Sequence, residues 1–337
     1  MIGIDDLRTL DKANKQAIIQ LLLNNPTVHY WSAGEYERLS LNFSIIKHFS
    51  SGRERKGIPG PRVRYEVMDN EIFGSGNFGT FYRCRFTLSI DDDGELQVKE
   101  RKPDRVRLVK VQESIYKEKS MLDQIILEAH VLSQSDVFHS KPLVVDQGKT
   151  YIIMKELPGV QLYTLMIENQ LTIKQRYVLT LELIRALKEQ IHDKGWIHRD
   201  IKPENIMVYQ NGDSFQIYII DFGFISNIDD KPTNRVGTIP YAAPECYRDW
   251  KVKNTKTDIY ALGLILLYLW NDIPVKPECY DLLIEHFEKM VHPKMVFRPV
   301  LSDLLSNIME LEQILQPVNV HVYHEVAPDP LWTCLSI

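Results

Sequence analysis

The chain has 337 residues, 44% of them apolar, and a formal net charge of -5, so it is long enough for two lobes and ordinary in makeup for a globular protein. So mild a charge excludes broad electrostatic attraction to nucleic acid, although it leaves room for local basic patches; no nucleic-acid partner is expected. Cys84, Cys246, Cys279 and Cys334 lie far apart with no C-x-x-C pair, which offers neither a zinc site nor a disulfide framework and fits a reducing, cytoplasmic compartment.

No export signal is read at the N-terminus, and the most apolar stretch, 260–270, is too short to span a bilayer. Over 5–24, Leu7, Leu10, Ala17, Ile18, Leu21 and Leu22 recur at helical spacing. They predict an amphipathic helix with Asp5 or Asp6 as its cap and Asn25-Pro26 as its stop. Mixed sequence follows, with Tyr30, Trp31, Leu39, Leu41, Phe43, Ile45 and Ile46 as candidates for burial. Residues 50–61, S-S-G-R-E-R-K-G-I-P-G-P, read as a linker because glycine and proline interrupt regular structure. Residues 1–61 are therefore expected to form a helical extension and linker, with a place for a regulatory partner, ahead of a main domain at 62–315 and a tail at 316–337.

In E-I-F-G-S-G-N-F-G-T-F (71–81), Gly74, Gly76 and Gly79 let the backbone approach phosphate oxygens, and Phe78 is placed to cover them. A plain structural turn is an equal reading of this pattern taken alone. A dinucleotide fold would put a helix directly after the glycines; here 80–88 reads as a strand, which favours a hairpin lid. Over 89–104 the turn D-D-D-G-E sits between strand-like flanks and predicts a second hairpin, without the full calcium-loop pattern. The strand 107–112 carries Lys110 among apolar neighbours, and the helix predicted over 119–133 carries Glu128 near its middle. A hairpin around Gln147-Gly148 leads to a connector at 155–160, after which the pattern is mainly helical.

A long helix is predicted over 171–193. It runs into W-I-H-R-D-I-K-P-E-N-I-M (196–207), which sets Asp200, Lys202 and Asn205 within six residues. An acid, a cation and a neutral oxygen ligand on one short loop suit an anionic, metal-bound substrate better than a core. Short strands at 205–208 and 215–220 end at Asp221-Phe222-Gly223. Asp258 opens an apolar helix reaching Trp270 and reads by itself as a capping acid; helices near 277–291 and 299–315 complete the chain.

Together the glycine loop, Lys110, Glu128, H-R-D at 198–200, D-F-G at 221–223 and A-P-E at 243–245 resemble the eukaryotic-type serine/threonine protein kinase family over about 70–315. The resemblance implies an α+β, bilobal protein kinase fold, with a β-rich N-lobe (about 62–155) bearing one main helix and a mainly helical C-lobe (about 160–315). It implies ATP and Mg2+ as cofactors and a protein substrate. Gly74, Ser75, Gly76, Asn77, Phe78 and Gly79 would cover ATP, Lys110 would hold its α and β phosphates, and Glu128 would fix Lys110. Met154 would back the adenine pocket, with Glu156 and Leu157 meeting adenine through backbone groups. Asn205 and Asp221 would bind magnesium, Asp200 would receive or orient the acceptor hydroxyl, and Lys202 would neutralise the transferred phosphate.

I-K-P-E-N and G-T-I-P-Y-A-A-P-E (237–245) are similar to serine/threonine rather than tyrosine kinases, with Thr238 lining the acceptor site; Glu204 reads equally as a contact for a basic substrate residue or as a solvated acid. Arg199 would meet either a phosphorylated Ser226 or Thr233 or the fixed charges of Asp229 and Asp230, the second being preferred. Glu245 with Arg298 resembles the family's buried lower-lobe ion pair, and Asp258 the acid that supports the catalytic loop. Only 40 positions separate Asp258 from Arg298, so the distal helices are expected to be shortened, as in viral kinases or secreted effector kinases of intracellular bacteria. A nucleotide-binding pseudokinase or scaffold acting through the extension is the alternative, and a small-molecule kinase a third reading. The terminal C-L-S-I is a poor prenylation box.

Overall fold

The computed structural model describes residues 1–24, 26–37, 39–50, 62–76, 79–113, 119–168, 170–228, 237–248, 254–271, 273 and 275–315. Expectations for Asn77, Phe78, the linker at 51–61, Asp229, Asp230, Thr233 and the tail with Cys334 lie outside these residues. The chain divides into two compact units, Met1–Leu157 and Pro158–Ile337.

The first unit opens with a 3-10 turn at Asp5–Arg8, then α1 (Lys12–Asn24). The single helix expected over 5–24 is broken at 9–11. Asp11 rather than Asp5 or Asp6 caps α1, its carboxylate accepting the Asn14 N–H at 2.7 Å, as an N-cap aspartate does. Asp6 instead accepts the Gly3 N–H, and Asp5 pairs with Arg8.

Next come β1 (Tyr30–Trp31), β2 (Gly34–Tyr36), β3 (Leu39–Leu41), β4 (Ser44–Ser50), β5 (Arg62–Met68), β6 (Ile72–Gly76), β7 (Gly79–Cys84), β8 (Phe86–Ile90), β9 (Leu96–Glu100) and β10 (Arg107–Glu113). The unit ends with α2 (Lys119–Gln134), β11 (Val144–Asp146) and β12 (Lys149–Lys155). Two five-stranded sheets result, in the orders β1-β4-β5-β8-β9 and β11-β12-β10-β7-β6.

The extension is therefore strand-rich rather than helical, and the boundary expected at 61/62 falls between two paired strands, with Ile45 opposite Val67 and His48 opposite Arg64. Both faces of this pair are covered. Ile45, Tyr65 and Val67 join Ile18 and Leu22 of α1 in one core, whereas Ile46 and Met68 join Val109, Tyr151 and Ile153 of the second sheet in another. A strand buried on both sides lacks the apolar–polar alternation that marks a half-exposed one, which is why 30–50 reads as mixed sequence.

The strand expected over 80–88 is likewise two strands: the chain leaves the second sheet after Cys84 and enters the first at Phe86. The β8–β9 hairpin forms as expected, and Asp91 uses its carboxylate on the Asp93 and Glu95 N–H groups at 3.1 and 2.9 Å. The acidic turn thus bonds itself.

The second unit contains β13 (Val160–Gln161), α3 (Leu162–Glu168), α4 (Ile173–Ala186), β14 (Trp196–Ile197), β15 (Ile206–Asn211), β16 (Ser214–Ile219), β17 (Ser226–Asn227), α5 (Pro244–Arg248), α6 (Thr255–Leu269), α7 (Tyr280–Met290) and α8 (Leu301–Glu310). Thr172 and Gln175 close a reciprocal capping box at the start of α4, satisfying two backbone donors at once. The predicted long helix relaxes after Ala186 into a wide turn, Leu187–Ile191, then a 3-10 turn, and stops at Gly195 with φ 78°. Asn254, not Asp258, caps α6, accepting the Lys256 N–H at 2.9 Å. Asp258 is thereby left for another task. Gly263 lets α6 and α7 approach, because a Cβ there would lie 2.6 Å from that of Met290.

Candidate active site

In the first unit, the register places Lys110 opposite Phe81 and Ile152, and Leu108 opposite Met154. Side chains alternate along a strand, so Lys110 and Met154 project from the face opposite Val109 and Ile153. Lys110 is 1% exposed, and its Nζ lies 2.6 Å from Glu128 Oε1 of α2 and 5.9 Å from the Phe81 ring centre. A buried ammonium needs such a partner, since desolvation without one is very costly. The lone strand lysine and the lone helix acid of the sequence are thus one ion pair.

The three glycines of the β6–β7 hairpin separate by cause. Gly79 has φ 132°, and a Cβ on it would collide with Val111 O, so backbone and packing alone require it. Gly74 and Gly76 have no such φ, and among the described residues a Cβ on either would meet nothing within 4 Å. Their bare backbone leaves open space for a ligand. Among the residues expected to meet adenine, the Glu156 N–H donates to Val106 O at 3.0 Å, and its carboxylate holds Arg83 at 2.6 Å. The N–H and the carboxylate of Glu156 are thus engaged within the fold.

In the second unit, β14 delivers His198, Arg199 and Asp200. The Asp258 carboxylate accepts the His198 N–H at 2.8 Å and the Arg199 N–H at 2.9 Å, and His192 Nε2 lies 3.1 Å away. Sequence reasoning missed His192, which carries no periodic signal. Arg199 and Asp221 hold left-handed backbone, φ 69° and 63°, which costs roughly 1–3 kcal/mol for non-glycine residues and clusters at functional sites. Phe222 is buried against His198 at 5.6 Å between ring centres, and His198 Nε2 lies 3.1 Å from Ile220 O.

Asp200, 4% exposed, is the hub. Its Oδ2 lies 2.9 Å from Lys202 Nζ, the Thr238 hydroxyl donates to its Oδ1 at 2.6 Å, and Lys202 Nζ donates to that hydroxyl at 3.0 Å. Asn205 Nδ2 donates to the Asp200 carbonyl at 2.9 Å and to its carboxylate at 3.0 Å. With the amide nitrogen so engaged, Asn205 Oδ1 remains as an oxygen donor, of the same hard type as the Asp221 carboxylate. No group of three or more His, Cys, Asp or Glu able to hold a metal occurs among the described residues. Two protein oxygens fit magnesium, which keeps waters and phosphate oxygens for its other positions.

Two further expectations fare differently. Arg298 grips Glu245 through paired bonds of 2.6 and 2.8 Å and also donates to the His292 and Lys256 carbonyls. Ser226, by contrast, is 5% exposed and paired with Ile197 across β14–β17, so its hydroxyl is inaccessible to a phosphorylating enzyme in this fold. Burial pushes the Arg199 guanidinium pKa down, with the Asp258 charge opposing the shift.

Residues 67–313 match the family of the protein kinase domain. The chain belongs to the protein kinase domain family. The kinase domain is 26% identical to the mouse serine/threonine-protein kinase DCLK3, over 79% of this chain and 34% of that protein. It is 29% identical to the Caenorhabditis briggsae serine/threonine-protein kinase dkf-2, over 60% and 16% respectively, and 32% identical to the Ustilaginoidea virens mitogen-activated protein kinase HOG1, over 48% and 43%. The chain therefore spans less than half the length of each of these curated relatives. A β-rich first unit and a mainly helical second unit agree with the α+β kinase fold, and among the described residues two α-helices, α7 and α8, follow α6. No helix of the described residues is long and apolar enough to cross a membrane.

Proposed function

We propose that the kinase domain transfers the γ-phosphoryl group of ATP to serine or threonine hydroxyls of a protein substrate. The observation that carries this reading is the Thr238 hydroxyl, which donates to Asp200 and accepts from Lys202. An aliphatic hydroxyl makes with this pair the two bonds that an acceptor hydroxyl needs, one for its proton and one for charge developing on oxygen.

ATP with magnesium supplies the electrophilic phosphorus and the leaving group. Asp200 receives the acceptor proton, and Lys202 offsets negative charge beside it. Lys110, held by Glu128, binds the α and β phosphates, under the backbone of Gly74, Ser75, Gly76 and Gly79 and the tip residues Asn77 and Phe78. Met154 backs the adenine, and Glu156 and Leu157 meet it through backbone groups, Glu156 by its carbonyl. Asn205 Oδ1 and the Asp221 carboxylate are the magnesium donors. Glu204, whose Oε2 is buried without a partner among the described residues, reads equally as a contact for a basic substrate residue or as an acid of the loop itself.

Mass spectrometry of the protein with ATP, magnesium and a peptide library tests the reading. Transfer to serine or threonine by the wild type and its loss in Asp200→Asn are expected. ATP binding without autophosphorylation or peptide transfer would leave the scaffold reading in its place.

A further inference from the structure

Strand register brings a set of charges to one end of the first unit that plays no part in the chemistry above. On β4 and β5, Ile46 and Met68 share a face with His48, Arg64 and Glu66, because strand side chains alternate and His48 pairs with Arg64. The Ile46–Met68 half of this face packs on the second sheet. The other half is charged. Thr87 stands opposite Glu66 and Lys99 opposite Thr87, with Arg101 following on the same face. From the second sheet, Arg107 pairs with Lys155 in the alternation of Val109 and Ile153. Lys141 reaches the same end, its N–H bonded to Ile153 O at 2.8 Å.

Six cations, Arg64, Lys99, Arg101, Arg107, Lys141 and Lys155, therefore gather at this end of the two sheets. The carboxylate among them is Glu66, 0% exposed. Its oxygens take Arg101 Nη2 at 2.5 Å, Arg101 Nε at 3.2 Å, His48 Nε2 at 3.1 Å and Arg107 Nε at 3.8 Å. Among the described residues Glu66 is the one carboxylate shown paired with any of these cations, and a single negative charge does not neutralise the set. Burial, followed by the charge of Arg107, pushes the Lys141 pKa down, and Arg101 and Arg64 add to the effect while Glu66 opposes it. Arg107 is pushed down by burial in the same way, against the pull of Glu66.

A second observation is independent of charge. His48 Nδ1, Thr87 Oγ1 and Ser140 Oγ are buried without hydrogen-bond partners among the described residues, although the His48 side chain is only 1% exposed and Thr87 4%. Buried polar atoms in native folds are nearly always paired. Guanidinium forks, ammonium groups, an imidazole N–H and two hydroxyls are all donors suited to an acceptor-only, multiply charged oxyanion. A neutral ligand would satisfy the hydroxyls and leave the cations uncompensated.

We propose that this inter-sheet end of the first unit binds a phosphate-class oxyanion, either free or carried on a multiply phosphorylated small molecule. The site is built from strands of the extension together with strands of the kinase domain. It does not rest on the phosphoryl-transfer reading.

The test uses the full chain at constant ionic strength, with chloride exchanged for inorganic phosphate, tripolyphosphate or inositol hexakisphosphate. Thermal unfolding and titration calorimetry are the readouts. The expected result is an anion-dependent rise in the unfolding midpoint and an apparent affinity at least tenfold weaker in the double variant Arg64→Gln/Lys141→Gln, with Lys110→Met/Glu128→Met, which removes the buried pair as a whole, binding as the wild type does. Equal affinity for all three probes identifies free phosphate, and tightening along the series identifies a polyphosphorylated ligand. Without anion Arg64→Gln/Lys141→Gln should melt no lower than the wild type, since it removes like-charge repulsion; should it melt lower, Lys99→Gln/Lys141→Gln takes its place. No midpoint rise with any probe, or a rise that survives Arg64→Gln/Lys141→Gln, overturns the proposal. So does binding lost in Lys110→Met/Glu128→Met and kept in Arg64→Gln/Lys141→Gln, which would put the anion at Lys110.

Discussion

The buried Asp258 carboxylate of α6 accepts the adjacent N–H groups of His198 and Arg199 at 2.8 and 2.9 Å. One side chain thereby fixes two consecutive peptides of the loop that presents Asp200, including the left-handed Arg199. Asp258→Ala removes both bonds, and hydrogen bonds to charged groups contribute about 1.5–3 kcal/mol each. We expect kcat to fall more than tenfold while nucleotide affinity, measured by calorimetry, changes less. An unchanged kcat would show that the loop holds its shape without Asp258.

The same carboxylate sets an acid dependence. Burial alone would raise its pKa, but the His192 hydrogen bond, the His192 and His198 charges and the His198 N–H outweigh burial and hold it below the ordinary aspartate value. A depressed carboxylate contributes stability that is present above the unfolded value of about 3.9 and is lost as pH falls through the lower folded value. Acid unfolding of Asp258→Asn should accordingly be shallower than that of the wild type in this window, as followed by circular dichroism.

Lys110 and Glu128 form a buried pair, so removal of one member leaves the other uncompensated, at a cost of roughly 3–5 kcal/mol. Lys110→Met should lose both phosphotransfer and stability. The double change Lys110→Met/Glu128→Met should regain much of the stability and none of the activity. Chemical denaturation beside a peptide assay separates the two effects, and restored activity in the double variant would remove Lys110 from the mechanism.

Asp146, the last residue of β11, accepts the His29 and Tyr30 N–H groups at 2.6 and 2.8 Å, and Tyr30 stacks on Tyr151 at 4.8 Å. These contacts tie the extension to the second sheet. Asp146→Ala should speed amide hydrogen exchange at residues 29–31 and lower stability by about 1.5–3 kcal/mol. Unaltered exchange there would mean that the apolar contacts alone seat the extension.

Ser226 is buried and paired with Ile197, so Ser226→Ala should leave activity intact. If Asp229 and Asp230 are the fixed charges that Arg199 meets, phosphatase treatment should also leave the rate unchanged. A collapse after dephosphorylation that Thr233→Ala reproduces would replace fixed charge with phosphate.

The order of Gly74, Lys110, Glu128, Asp200, Asn205 and Asp221 along the chain was enough to reach the fold class and the candidate site, because each role demands a particular functional group at a particular step of the chain. Strand 44–50 was not legible, because a strand covered on both faces shows no alternation. Pattern alone read Asp258 as a cap for a comparable reason, and the loop-supporting role came only with the family resemblance: its partners are backbone groups some 60 positions away, and a backbone N–H leaves no trace in sequence.

Sequence by itself determined the chemistry on offer: which side chains carry charge, which lack a Cβ, and in what order they come. Tertiary structure alone decided that Gly79 is required by the fold while Gly74 and Gly76 leave space, that Glu156 is committed to Val106 and Arg83, and that the first 50 residues share a sheet with the kinase domain. It also decided that His48, Arg64, Arg101, Arg107 and Lys141 meet around Glu66. The physical reason is common to all four. Burial, register and electrostatic neighbours are properties of chain segments distant in sequence, and they exist only once those segments pack.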